Sequence, residues 1–233
     1  MCGRLIGGNL TQAQMLEIIE GFIHPSTPIA IDHDAPAART GFNIAPTQQV
    51  NLLFAQSGGH RVASTARWWL VPTWFKGTVA EWKATTFNAK IETAAQKPAF
   101  RTAWSDGRCV IPATGYYEWS GPKTNRQPHR VYLDQNHPVM LFAGLQTRLR
   151  SGLRTCTILT RNALPEIAEL HPRMPVLLTA DEAERWLNHA DDDDHIRASY
   201  GLGWEGRVRV HRVARFGPRD DGPELIEKLE DLF

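Results

Sequence analysis

Apolar residues recur along this chain with two different periods. Near the start, Met15, Ile18, Ile19 and Phe22 fall at helical spacing behind Thr11, which predicts a threonine-capped helix over residues 11–22. Thr179 and Glu182 form a capping-box pattern ahead of Ala183, Trp186 and Leu187 and predict a second helix. Residues 224–232 read as a third, short and amphipathic. Between these lie short β-type runs at 50–55, 62–70, 108–111, 130–133, 139–143, 155–160, 174–178 and 208–213. The Pro- and Ala-rich stretch 24–39 reads as an excursion loop, and no repeat or long linker divides the chain. Many short strands with few helices predict an α+β fold. We expect one domain over residues 1–233, with a mixed, curved, barrel-like sheet flanked by a few helices.

Composition adds limits to this picture. Across 233 residues, 42% hydrophobic and 22% charged are values of an ordinary globular chain. No apolar run approaches the roughly 18 residues that span a bilayer, and no apolar segment behind Met1 suggests a secretory signal. The three cysteines, Cys2, Cys109 and Cys156, are too few and too odd in number for a disulfide scaffold, and fit a reducing compartment. Cys109 and Cys156 sit in apolar runs and read as buried, inert thiols.

The formal net charge of +1 taken alone argues against a nucleic-acid binder, but its distribution changes that reading. Residues 181–195 hold seven acids and one base, and residues 219–233 hold six acids and two bases. The remaining residues therefore carry +11, a basic body with its acids gathered in two late segments.

Three residues suggest chemistry. Removal of Met1, favoured when a small residue follows, would leave Cys2 with a thiol and an α-amine on adjacent carbons. A free α-amine has a pKa of about 7.7–8.0, so much of it is unprotonated near neutral pH. Such an amine condenses with an aldehyde to a Schiff base, and the neighbouring thiol can close a five-membered thiazolidine. Glu118, set among Tyr116, Tyr117 and Trp119, is a candidate general acid/base, because a carboxylate in aromatic surroundings tends to hold its proton more tightly. His171, in the turn His171-Pro172-Arg173-Met174-Pro175, is a candidate proton carrier. No metal or other cofactor is expected: there is no Cys-x2-Cys pair, and the nine histidines lack ligand spacing. Neither a phosphate-binding Gly loop nor a Gly-x-Ser-x-Gly elbow is present.

Seven segments then occur in a telling order: Met1-Cys2-Gly3-Arg4, Asn43-Ile44-Ala45-Pro46-Thr47, residues 68–74, Asn88-Ala89-Lys90-Ile91-Glu92-Thr93, residues 112–119, Phe142-Ala143-Gly144-Leu145 and His171-Pro172-Arg173-Met174-Pro175. Together they resemble the SOS-response-associated peptidase (SRAP) family of abasic-site-processing proteins, over about residues 1–228. The resemblance implies a protein that binds single-stranded DNA and captures the aldehyde of a ring-opened abasic sugar as a thiazolidine crosslink. It implies Cys2 as nucleophile, exposed by self-processing, with Glu118 as acid/base and His171 as proton donor. Asn43 and Asn88 resemble residues that orient the reacting amine and sugar, and Arg4, Lys90 and Arg173 resemble phosphate-contacting cations. Pro46, Trp68 and Trp69 complete the expected DNA contacts, and Trp74 is a further candidate to stack bases. Cationic neighbours would shift the thiol and amine toward their nucleophilic forms. A lyase activity, a monomeric state and a cytoplasmic location, at the nucleoid when bound to DNA, are also expected.

Three positions depart from the family pattern. Lys90 stands where the family usually has Arg, which keeps the charge but loses the bidentate fork. Trp69 replaces a usual Gly. Arg161 stands where a small hydroxyl residue is common, and is read as an additional phosphate contact. Two other readings share these residues: a cysteine peptidase of the N-terminal-nucleophile type acting in trans, and a single-strand-binding module without covalent chemistry.

Overall fold

The β-type runs pair into two sheets, and one of them closes on itself. The computed structural model describes residues 2–22, 28–56, 58–122, 124–134 and 136–230. In chain order the elements are β1 (Leu5–Ile6), α1 (Gln12–Phe22), β2 (Ala30–Ile31), β3 (Gln49–Ala55), β4 (Arg61–Trp68), β5 (Asn88–Lys90), α2 (Arg101–Asp106), β6 (Arg108–Ala113), β7 (Gly115–Ser120), β8 (Gln127–Tyr132), β9 (Met140–Arg148), β10 (Arg154–Asn162), α3 (Pro165–Ala168), β11 (Arg173–Pro175), β12 (Leu177–Leu178), α4 (Ala180–Leu187), α5 (Asp193–Ser199) and β13 (Arg209–Arg212). The larger sheet runs β10-β4-β3-β6-β9, and β9 pairs back onto β10, so these strands form a ring. The β4–β10 pairing is parallel and the others in the ring are antiparallel, which makes the barrel mixed. The smaller antiparallel sheet has the order β1-β7-β8-β13. This is the single-domain α+β architecture expected from the strand-rich pattern.

Alternation along the strands sorts side chains to the two faces of the barrel wall. Cys109 and Ile111 of β6, Met140 and Phe142 of β9, and Cys156 and Ile158 of β10 fill the interior. Val110, Leu141, Ala143, Leu145 and Leu159 face outward, where Met15 and Ile19 of α1, Trp104 of α2, Trp186 of α4 and Ile196 of α5 cover them. Both faces are thus buried, which explains why β6 and β9 read as continuous apolar runs. Each large side chain so covered contributes about 1.5–3 kcal/mol relative to exposure. Burial also pushes the Cys109 and Cys156 thiols well above their ordinary pKa, as expected of inert core cysteines.

Both predicted caps form. The Gln14 N–H donates to Thr11 Oγ1 at 3.2 Å, and at α4 the Glu182 N–H donates to Thr179 Oγ1 at 3.2 Å while Glu182 Oε2 accepts from the Thr179 N–H at 2.8 Å. Other expectations need correction. The run 174–178 is two strands, because it crosses the β9/β10 seam: β11 pairs with β10, then β12 pairs with β9. The stretch 24–39 is not wholly loop, since β2 pairs in parallel with β4; residues 24–27 lie outside the described residues. The third helix shrinks to a 3-10 turn, Pro223–Ile226, because the chain then runs beside β13, where the Leu229 N–H donates to Arg212 O. Its last two positions lie outside the described residues. Among the described residues, no helix is long and apolar enough to cross a membrane.

Candidate active site at the N-terminal segment

Cys2 is 0% exposed and belongs to the interior cluster of the barrel. Three contacts fix its backbone. On one side the Tyr117 N–H donates to Arg4 O at 3.0 Å, where β1 begins to pair with β7. On the other, Leu5 and Ile44 exchange both backbone hydrogen bonds at 2.9 Å. From β5, Asn88 Nδ2 donates to the Cys2 carbonyl at 2.7 Å. The alternation of β7 sends Tyr116 into the same interior cluster as Cys2, while Tyr117 turns away to pack with Val213 and Leu225. Glu118 shares the Tyr116 face and is only 4% exposed, with Oε1 accepting from the Trp119 N–H at 3.3 Å. The Tyr116 hydroxyl is buried and has no hydrogen-bond partner among the described residues.

The electrostatics reverse one expectation. Burial, and next to it the Glu118 carboxylate, hold the Cys2 thiol well above its ordinary pKa. Nearby cations do not overcome this, because the half-buried Arg4 guanidinium turns to the Gly3 carbonyl at 3.1 Å. In this state Cys2 is a neutral thiol beside a carboxylate.

The C-terminal end of β10 gathers a second group of residues. Thr160 pairs with Lys90 of β5 on one side and with Pro175 of β11 on the other. Lys90 is exposed and lies on the same face of β5 as Asn88. The Arg173 N–H donates to His171 Nδ1 at 2.9 Å, and Arg173 O lies 2.8 Å from that nitrogen. The Arg173 backbone engages Nδ1 as acceptor or as donor according to the tautomer, and when Nδ1 keeps its proton on the Arg173 carbonyl, Nε2 is the ring nitrogen that can gain and lose one. Arg173 itself is held by a bidentate pair with Glu92, at 2.6 and 2.8 Å, and also donates to Asn162 Oδ1 and Thr160 O. It is therefore a positioned and partly neutralised cation, a partnership not anticipated from sequence.

Two of the predicted DNA contacts, Trp68 and Arg161, are taken up within the fold. Trp68 is 0% exposed, inside the barrel, with Nε1 donating to Phe87 O at 2.8 Å; it is core and offers bases no face. Arg161 points to the opposite face of β10 from Thr160 and Asn162, where its guanidinium donates to the Tyr200 carbonyl, so it ties down that turn and does not stand ready for phosphate. Asn43 donates its amide N–H groups to the Gly217 and Asp220 carbonyls at 3.0 and 2.8 Å. Pro46 lies half-buried in a turn fastened to the end of β4 through Thr47 N–H to Trp68 O at 2.8 Å, with Thr47 at φ 82°. Trp69 leans on Phe87 with ring centroids 5.4 Å apart. Trp74, 50% exposed, forms an aromatic cluster with Phe75 and Trp82.

Asp221 is a residue that sequence reasoning missed. Its carboxylate pairs with Arg39 and accepts the Phe42 and Asn43 N–H groups at 2.6 and 3.0 Å. Gly41, at φ 109°, has no room for a Cβ against it. The buckle holds the segment that pairs with Leu5, and so supports Cys2 at one remove. Asp221→Ala leaves two backbone donors unsatisfied and is expected to cost about 2–3 kcal/mol in denaturant unfolding. Asp221→Asn keeps an acceptor and should lose less.

Known proteins resemble this chain along nearly all its length. It is 32% identical over 238 aligned residues to the abasic site processing protein YoqW of Bacillus subtilis, covering 97% of this chain and 99% of that one. It is 27% identical to the abasic site processing protein YedK of Escherichia coli, covering 98% and 100%. A crystal structure of a Bordetella bronchiseptica protein superposes with a TM-score of 0.68 at 25% identity, covering 92% of this chain and all of that one. One from Bacteroides thetaiotaomicron gives 0.68 at 22% identity, over 82% and 86%. The family model described as SOS response associated peptidase (SRAP) matches residues 1–215, and with these relatives it establishes that the chain belongs to the SRAP family.

Proposed function

We propose that this protein processes abasic sites in DNA by trapping the ring-opened sugar of a single strand on Cys2. The observation that carries the reading is the enclosure of Cys2: its carbonyl is held by Asn88, its thiol is buried, and Glu118 stands beside it. Hydrolysis of the Met1–Cys2 peptide bond, by the chain itself, supplies a free α-amine at this point. The amine adds to the aldehyde carbon, and the hydroxyl of the adduct leaves as water, protonated through His171 Nε2. The thiol then adds to the iminium carbon. A carbon–sulfur bond forms, the C=N electron pair returns to nitrogen, and the thiol proton passes to Glu118. The product is a thiazolidine, and Glu118 returns its proton to solvent.

A single strand suits this pocket because no duplex must be opened to deliver the sugar. Lys90 offers an exposed cation on the Asn88 face, and the +11 of the chain outside its acidic segments favours phosphate. Trp69 and half-exposed Trp74 offer indole surfaces for neighbouring bases. The protein acts as a monomer in this scheme, with no cofactor.

The reading is tested by incubating the mature protein with an abasic single-stranded oligonucleotide and running a denaturing gel. A heat-stable shifted species is expected, with an intact mass equal to protein plus DNA less one water. Its absence would refute the reading, and retardation only in native gels would indicate a non-covalent binder. Lys90→Arg restores the bidentate fork and is expected to tighten single-strand binding about 2- to 10-fold at moderate salt. Fluorescence anisotropy measures this; equal or weaker binding would show that Lys90 does not face phosphate.

A further inference from the structure

Tyr116 carries a feature that the capture scheme leaves unused. Its ring packs edge-on against Phe142, with centroids 6.1 Å apart, and the residue is 0% exposed. Cross-strand pairing to Leu5 sets it three residues along the backbone from Cys2, and strand alternation puts it on the face of Glu118. The side chain shares the interior cluster with Cys2. A phenol so placed could have been a phenylalanine at no cost to packing, yet its hydroxyl lies buried without a hydrogen-bond partner among the described residues. Buried polar groups are nearly always paired, so a wholly buried hydroxyl without one, next to reacting atoms, points to a partner that exists only during the reaction.

We infer that Tyr116 is a catalytic residue, whose hydroxyl donates a hydrogen bond to the Cys2 sulfur as the thiazolidine ring closes. The step balances as already described: the thiol proton goes to Glu118, sulfur bonds to the iminium carbon, and the C=N electron pair goes to nitrogen. Tyr116 keeps its proton throughout and stabilises the negative charge on sulfur between proton loss and bond formation. Burial, and after it the neighbouring Cys2 sulfur and Glu118 carboxyl groups, hold the phenol well above its ordinary pKa, which keeps it a donor at working pH. Glu118 and Tyr116 thus divide the work, one taking the proton and the other steadying the sulfur. Hydrogen bonds to charged groups are the stronger ones, and the pocket excludes competing water.

This inference rests on the proposed capture by Cys2, and the experiment separates the two. Tyr116→Phe keeps the ring and its packing and removes one oxygen. Wild-type and Tyr116→Phe proteins are mixed with abasic single-stranded oligonucleotide, and samples are taken with and without borohydride. Borohydride traps the Schiff base, whereas the closed ring survives heating without it. Tyr116→Phe is expected to slow ring closure about 10- to 100-fold, to accumulate borohydride-trapped Schiff base, and to bind intact single strands with unchanged affinity. A structural role would not move that partition between Schiff base and ring. Ring closure at the wild-type rate in Tyr116→Phe would overturn the role of Tyr116 alone. No covalent product from either protein, trapped or untrapped, would overturn the capture reading itself and the inference with it.

Discussion

Replacing Cys2 with alanine is expected to abolish the heat-stable adduct with abasic single-stranded DNA altogether, the largest effect of any single change in this chain. The variant keeps an α-amine after Met1 removal, so it can still reach a Schiff base that borohydride traps, but it has no sulfur to close the ring. Cys2→Ser should behave nearly the same way, since a hydroxyl is the weaker nucleophile. The cost to folding is small, about 1 kcal/mol for one lost sulfur in a closed pocket, so circular dichroism and single-strand binding should match the wild type. The pH dependence has a defined sign. Because the ordinary α-amine pKa is about 7.7–8.0 and only the neutral amine attacks, the rate of adduct formation should rise between about pH 6 and pH 8. The Cys2 thiol adds no lower-pH limb as a free thiolate, because burial and Glu118 hold it protonated across that range. A Cys2→Ala protein that still forms a heat-stable product would move the chemistry to another amine and refute the assignment.

The parts of the fold legible in the sequence are those set by neighbours in the chain. The α1 face of Met15 and Ile19, the Thr179 capping box and the alternation of Cys109 and Ile111 with Val110 are local patterns, and they form as written. Closure of the barrel was only suggested by many short strands, because the β9–β10 pairing that seals the ring depends on the path of the whole sheet. The site divides in the same way. Cys2, Glu118 and Asn88 were readable from residue type and order, and two of them, Cys2 and Asn88, share a hydrogen bond. Asn43 and Arg161 take partners that no local pattern announces, since a side-chain amide or guanidinium goes wherever carbonyls are unsatisfied: here the 217–220 segment and Tyr200. Glu92 and Asp221 escaped notice because their cation or N–H partners lie 81 and 182 or 179 residues away. Several of the late acids take specific partners: Glu184 pairs with Arg61, Asp191 with Arg185 and Asp193 with Arg197.

Trp68→Ala and Trp74→Ala should fail in opposite ways, although the sequence offers no means to rank the two indoles. Trp68 is 0% exposed in the barrel, and its ring meets Phe87 edge-on with centroids 6.0 Å apart. Cutting it to alanine removes a large buried side chain and leaves a cavity, at a cost of about 3–5 kcal/mol. The Phe87 carbonyl, which accepts the indole N–H at 2.8 Å and the Ile158 N–H at 3.1 Å, also loses the first of these donors just ahead of Asn88, the residue that grips Cys2. Loss of crosslinking in Trp68→Ala should therefore accompany a lower Tm and a smaller denaturant midpoint. Trp74 is half exposed, and its N–H donates to Pro98 O at 3.0 Å across the surface. Its removal should change stability by about 1 kcal/mol at most. If a base stacks there, affinity for an intact single strand should fall about 5- to 100-fold, the range of one lost base–aromatic stack. Thermal melts and anisotropy titrations at one fixed salt concentration separate these outcomes. A Trp68→Ala protein that melts like the wild type would place that indole outside the core, and unchanged affinity in Trp74→Ala would remove the exposed cluster from the DNA path.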